Sequence, residues 1–190
     1  MEALDLKPKN GFTLIELLVT LAIVGILLGV GLPAMSALIE QSQFKAQVST
    51  IHRAIALTRS MAVYRGLPVS LCPLDTGDEC HNDWNRQLTV FEDRNQNQIL
   101  DNDEITIRTF PSLPNNDDHL AREFSRNNAI MFRPSGTAFG HNGTVKVCLN
   151  GQRDLSATII ISNVGRIRLG QDDNNDGLVE NSSGNEVRCN

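Results

Sequence analysis

The chain has no glycine-rich phosphate loop, no metal-binding histidine pair and no nucleophile elbow. Its four histidines, His52, His81, His119 and His141, are scattered, and none stands beside a plausible nucleophile. These absences leave no residue set for catalysis, and no enzyme is expected. Positive charge is not in excess either: the net charge of −5 argues against a protein that coats itself in nucleic acid by bulk attraction. No cysteine precedes Cys72, and no internal repeat of note occurs in the 190 residues. From Phe12 to Leu32 the sole charged side chain is Glu16, and the other polar ones are Thr13 and Thr20.

That apolar run matches the ~20 residues needed to cross a bilayer. A lone carboxylate inside it costs roughly 2.5–3.5 kcal/mol at mid-bilayer on insertion scales, so it marks a function or a specific partner. The partner is suggested by what precedes the run. A short leader carries Lys7 and Lys9 next to the span and Glu2 and Asp5 further away, which fits an N-terminus on the cytoplasmic side. Cutting after Gly11 would place a free α-amine on Phe12, one helical turn from Glu16 or within reach of Glu16 in a neighbouring copy. An ordinary secretory signal is a poor fit, because its cleavage site would follow the apolar region, whereas here the span continues into a polar helix.

The segment Lys9-Asn-Gly-Phe-Thr-Leu-Ile-Glu-Leu-Leu-Val19 resembles the class III signal of type IV pilins and type II secretion pseudopilins. The resemblance implies cleavage after Gly11 by a prepilin peptidase, N-methylation of Phe12, and a role for Glu16 as the assembly carboxylate. It also implies a single-pass inner-membrane protein with a periplasmic domain, partnered by other major and minor pilins or pseudopilins in a surface pilus or a periplasmic pseudopilus.

Beyond Pro33, apolar residues recur at helical spacing through Met35, Leu38, Ile39, Phe44, Val48, Ile51, Ile55, Met61 and Ala62. One helix from Phe12 to Val63 is therefore predicted, about 78 Å long at 1.5 Å per residue. Pro33 should kink it, and Gly66-Leu-Pro68 should end it. Alternating runs then predict strands at 68–72, 87–91, 104–108, 129–132, 144–149, 157–162 and 164–169, with loops at 110–118 and 171–184. The expected organisation is a leader at 1–11, a membrane half of the helix at 12–33, an amphipathic half at 34–63 and an exported domain at 64–190. The fold class is α+β, a long N-terminal helix packed on a C-terminal antiparallel sheet domain.

All four cysteines lie after the span, which favours disulfides on the exported side. Of the three possible pairings, Cys72–Cys80 with Cys148–Cys189 is expected, because Cys189 is penultimate and a terminus gains most from being tied down. A zinc site with His81 or His141 fits no common ligand spacing. Two acidic segments resemble calcium loops. Asp93, Asn95, Asn97, Asp101 and Glu104 fall at positions 1, 3, 5, 9 and 12 of the EF-hand pattern, with Gln98 where glycine is usual and strands in place of helices. Asp172, Asn174, Asp176 and Gly177 match its first half, with Ser183 replacing the final glutamate. Oxygen-rich turns of solvated hairpins look the same, so no cofactor is required.

The exported part has its own marks: Leu71-Cys-Pro73, Cys80, Trp84, Val90-Phe-Glu-Asp-Arg-Asn-Gln-Asn97, Asp101, Glu104 and Met131-Phe-Arg-Pro-Ser-Gly136. These resemble the GspH/FimT family of minor pilins and pseudopilins. Val164-Gly-Arg-Ile-Arg168 resembles the Gly-Arg-x-Arg element by which the FimT branch binds DNA in natural transformation. The resemblance assigns Gly165, Arg166 and Arg168 to double-stranded DNA, with Gly165 letting a phosphate approach. On a strand the two arginines share a face, as phosphate recognition needs. The alternatives are a solvated strand face with Arg166 or Arg168 paired to Asp172 or Asp173, and an H-type type II secretion pseudopilin that binds no DNA.

Overall fold

The computed structural model describes residues 11–113, 119–124, 128–148 and 156–186, with the side chains at 30–34, 119, 123 and 124 outside the description. One helix, α1, runs over Leu14–Arg65. Thr13 opens it: its Oγ1 accepts the Glu16 N–H at 3.3 Å, and Thr-x-x-Glu is the spacing of a capping box. Gly66 closes it. Its φ of +67° is left-handed, and its N–H donates to the Ala62 carbonyl at 3.1 Å, an αL cap with Pro68 just beyond. The chain divides into two compact units, Met1–Ser42 and Gln43–Asn190. In the first, the apolar side chains from Phe12 to Leu28 are exposed. Among the described residues no helix is long and apolar enough to cross a membrane.

Among the described residues the second unit carries eight strands: β1 (Val69–Pro73), β2 (Leu88–Glu92), β3 (Thr106–Phe110), β4 (His119–Phe124), β5 (Ile130–Phe132), β6 (Gly143–Cys148), β7 (Ser156–Ile161) and β8 (Ile167–Leu169). They form two antiparallel four-stranded sheets, ordered β3-β2-β1-β5 and β4-β6-β7-β8. Both contribute to one core. Val48, Ile51, Ala54, Ile55 and Ala62 of α1 pack with Val69, Leu71, Leu88, Val90 and Phe132 of the first sheet and with Val145, Val147, Ile159 and Ile161 of the second. Ala54, Thr58 and Ala62 recur every four residues and are fully buried. Such a stripe of small side chains lets the sheets approach the helix backbone closely. Thr58 satisfies its hydroxyl within the helix by donating to the Ala54 carbonyl at 2.8 Å.

Three sequence expectations are corrected. The strand expected at 104–108 lies at Thr106–Phe110, and the one expected at 164–169 is shortened to Ile167–Leu169, because 162–166 form a tight turn. Strand β4 carries no sequence signal, since one of its inward positions holds an arginine. Arg122 lies over the Trp84 ring, 5.4 Å from its centroid, and burial pulls its guanidinium down to about 10. Strand β1 is buried along its whole length because the helix covers one face and a loop layer covers the other. In that layer Cys72, Cys80, Phe91 and Ala129 pack with Leu74 and Leu100. Cys72 and Cys80 form a disulfide with their Cα atoms 5.5 Å apart. Cys148 is also disulfide-bonded, and its expected partner Cys189 lies outside the described residues.

Where α1 ends, the buried Glu92 carboxylate at the end of β2 receives Arg65 through one oxygen and Arg94 through the other, the latter at 2.7 Å. Burial acts to raise the Glu92 carboxyl, but hydrogen bonds from Arg94 and Arg65 outweigh it and hold the group below its ordinary value of 4.5. A carboxyl held low in the folded state adds stability above its unfolded value and loses it as the pH falls through the folded value. Acid unfolding should therefore steepen below about pH 4.5. Glu92→Gln should lower stability at neutral pH by about 1–3 kcal/mol and flatten that acid limb. Chemical denaturation of both proteins across pH 3–7 is the check; parallel pH profiles would refute the assignment.

Candidate functional site

The arginine element sits on two closely packed turns of the β-domain. Between β7 and β8, Gly165 N–H donates to the Ser162 carbonyl at 2.8 Å and Ser162 N–H to the Arg166 carbonyl at 3.0 Å. This is a three-residue hairpin turn with glycine at its left-handed position, φ +81°. The segment Arg133-Pro-Ser-Gly-Thr137 repeats the design. Gly136 N–H donates to Arg133 O at 2.8 Å, Arg133 N–H donates to Thr137 O at 2.9 Å, and Gly136 has φ +77°.

The two turns are stacked. A Cβ placed on Gly165 would stand 1.8 Å from the Gly136 carbonyl oxygen and 3.1 Å from Arg59 Nε. Arg59, on α1, seals the junction by donating from Nε to that same carbonyl at 3.1 Å. Two stretches that mark the exported domain in sequence, far apart along the chain, therefore meet here. Gly165 is buried, so the expectation that it admits a phosphate is corrected: its missing side chain admits a second backbone.

The arginines behave differently. Arg166 and Arg168 are exposed on either side of Ile167, which packs against the core. Arg168 stands opposite Ile160 on the sheet face turned away from the core. Both arginines line an open concavity of about 420 Å³ that also presents Asn142, Ser162, Asn163 and Ser182. Among the described residues neither side chain has an ion-pair or hydrogen-bond partner. Asp172, one candidate counter-ion, is engaged by its own turn, accepting Asp176 N–H at 3.2 Å and Gly177 N–H at 2.8 Å. Arg133 is exposed beside the stacked turns, its guanidinium 5.6 Å from the Phe139 ring centroid. Two unpaired guanidinium forks beside side-chain amides and hydroxyls form a surface for phosphate oxygens.

Lys146 shares the outer face but stands two strands away, opposite Thr158. Arg153 and Arg188 lie outside the described residues. Sequence reasoning passed over Arg59, Ser162 and Asn163. Only the Pro-Ser-Gly turn signal hinted at the junction.

The other candidates separate. Glu16 and Phe12 are exposed at the start of the helix region, next to Gly11. His81 Nδ1 accepts the Asp83 N–H at 3.0 Å, and His141 Nδ1 is buried against the Ala129 carbonyl at 2.9 Å. Among the described residues no group of three or more His, Cys, Asp or Glu is gathered closely enough to hold a metal ion. The loop from Asp93 to Glu104 is nonetheless ordered by its own oxygens. Asn95 and Asn97 donate to Asp101 Oδ2 at 2.8 and 3.0 Å, and Glu104 accepts Arg94 N–H at 2.7 Å and Asp101 N–H at 3.2 Å. Burial raises the Glu104 carboxyl above its ordinary value, and the charges of Asp93 and Asp101 add to that.

Gly165→Ala should lower stability by about 2–4 kcal/mol, since a left-handed φ and a backbone collision combine. Gly177→Ala, at a left-handed position with open space around it, should cost less. Thermal unfolding of the pair checks the stacked-turn account, and equal losses would overturn it.

Comparison with known proteins follows the same division. The prokaryotic N-terminal methylation motif matches residues 6–32. The family described as Type II transport protein GspH matches residues 47–165, more than half of the chain. Among curated protein sequences none matches. The fold is similar to that of the type IV minor pilin FimU of Pseudomonas aeruginosa, with 21% identity, 70% of this chain and 91% of that one covered, and a TM-score of 0.54. The minor pseudopilin EpsH from the Type 2 Secretion System of Vibrio cholerae aligns at 17% identity over 67% of this chain and 95% of that one, with a TM-score of 0.47. The match over residues 47–165, together with the methylation motif at 6–32, places this chain in the GspH family of minor pilins and pseudopilins.

Proposed function

We propose that this protein is a minor subunit of a type IV pilus that binds double-stranded DNA during natural transformation. A prepilin peptidase cleaves after Gly11 and methylates Phe12. The helix from Phe12 to Pro33 holds the protein in the inner membrane with its second unit in the periplasm, and Pro33 kinks the helix where it leaves the bilayer. In the fibre, Glu16 pairs with the N-terminal amine of an adjacent pilin, an apolar setting in which an unpaired carboxylate is costly. The observation that carries the DNA reading is the exposed, unpaired Arg166–Arg168 pair on the concavity beside the stacked turns. Because the chain as a whole is acidic, contact is local, through a few phosphates, weak and strongly dependent on salt.

A second reading follows from the family's link to type II transport. As an H-type minor pseudopilin of a type II secretion system, the same subunit would prime or cap a periplasmic pseudopilus and bind no DNA. Methylation and assembly through Glu16 are common to both.

Duplex-DNA titrations of the protein in detergent, across a salt series, separate the readings. Changing both arginines to Gln should weaken binding at low salt and reduce the slope of log affinity against log salt by about 2. An unchanged slope removes the arginines from the interface. In cells the same double variant should lose DNA uptake while fibres still form. Intact uptake together with failed secretion would instead favour the pseudopilin.

Glu16→Ala should leave processing at Gly11 intact but strongly reduce incorporation into fibres. Mass spectrometry of the mature N-terminus, alongside immunodetection in sheared fibres, is the measurement. Normal incorporation of the variant would remove Glu16 from assembly.

A further inference from the structure

The segment from Asp93 to Glu104 leaves β2 and folds back over the sheet face opposite the helix. Alternation along β2 determines which groups look into it. Val90 faces the main core and Glu92 meets Arg65, so Phe91 and Asp93 face the other way, where Leu100 of the segment packs against the cluster of Cys72, Cys80, Phe91 and Ala129. Asp93 is fully buried. Its Oδ2 accepts the Ser70 hydroxyl at 2.6 Å, and its Oδ1 has no hydrogen-bond partner among the described residues. A buried carboxylate oxygen without a partner carries a desolvation cost that a native fold normally offsets.

We propose that this oxygen belongs to a calcium site formed by Asp93, Asn95, Asn97, Asp101 and Glu104, with the Ile99 carbonyl at position 7. The segment carries oxygen donors at the positions an EF-hand loop uses, and Leu100 fills position 8 as a partly buried apolar residue. Gln96 and Gln98, at positions 4 and 6, adopt φ of +62° and +64°. The segment 172–177 shows the same pair, Asn175 at +61° and Gly177 at +86°, at its own positions 4 and 6.

The three carboxylates do not form one close group. Asp101 is met instead by the amide N–H groups of Asn95 and Asn97, which satisfy it as a cation would. Binding would turn the amide oxygens toward the ion and draw Asp101 and Glu104 onto it. Oxygen donors only, three of them carboxylates, suit a hard divalent cation, and the flexible mixture of amide and carboxylate suits calcium over magnesium. The affinity expected is that of extracellular modules, about 10⁻⁴–10⁻³ M.

The segment pins the β-domain in two ways. Gln98 Oε1 accepts the N–H groups of Asn128 and Ala129 at 3.0 and 3.2 Å, and Leu100 N–H donates to the Asp78 carbonyl at 2.8 Å beside the Cys72–Cys80 disulfide. Calcium would stiffen this layer, away from the arginine face.

The test is calorimetric titration of the detergent-solubilised full chain with calcium chloride after chelator treatment, with magnesium chloride as the comparison and thermal unfolding as a second readout. The wild type should bind calcium and melt at a higher temperature in its presence. Asp93→Asn and, independently, Glu104→Gln should weaken binding at least tenfold while keeping the circular dichroism spectrum. Asp172→Asn should bind as the wild type does. Absence of both heat and a thermal shift in the wild type overturns the proposal. So does binding lost in Asp172→Asn but retained in both Asp93→Asn and Glu104→Gln. If Asp93→Asn fails to fold, Glu104→Gln alone decides.

Discussion

The β-domain depends on one constraint: residues 48–62 of α1 must lie beneath two sheets at once. Fully buried Ala54, Thr58 and Ala62 keep that side of the helix thin, while Ile51 and Ile55 supply bulk to the core. A larger residue in the small stripe would push both sheets outward, at a cost of about 1–3 kcal/mol for overpacking. The same helix begins as an apolar run, broken by Glu16 and Thr20, with its side chains exposed. One helix therefore carries two patterns: a polar-apolar alternation at helical period where the sheets cover it, and a nearly all-apolar surface over residues 17–28.

That constraint also explains why the arginine element is where it is. Once both sheets rest on the helix, the β7–β8 turn meets the turn after β5, and Arg59 bridges the junction. The glycine of Gly-Arg-x-Arg is consumed by this contact, leaving the arginines as the parts free to face a ligand. A rigid turn stack is a good base for phosphate contacts, because guanidinium groups projecting from it lose little backbone entropy on binding. In the proposed DNA-binding role, the chain's overall negative charge would confine contact to this face.

Much of the architecture was legible in the residues. Gly66 followed by Pro68 signals the helix end because glycine alone takes the left-handed cap without penalty, and the αL bond to Ala62 forms as expected. The strands at 88–92, 130–132, 143–148 and 156–161 follow from β-branched and aromatic runs between turn residues. Strand β4 was illegible because Arg122 stands where an apolar residue would complete the pattern, with its guanidinium over the Trp84 ring. The last strand was read too long because the β-branched Val164 extends the run of Ile167 and Leu169 back across the 162–166 turn.

The sequence by itself determined the long helix, the alternating strands, the cysteines confined to the second unit and the acidic spacing from Asp93 to Glu104. These are properties of neighbours along the chain, where period, turn chemistry and ligand spacing are set by covalent order. Only the tertiary structure decided which sheet each strand joins, that Asp93 is buried with an oxygen unpartnered, and that Gly165 faces Gly136 rather than a phosphate. Such contacts join residues distant in sequence, and they exist only after the helix and both sheets have packed into one core.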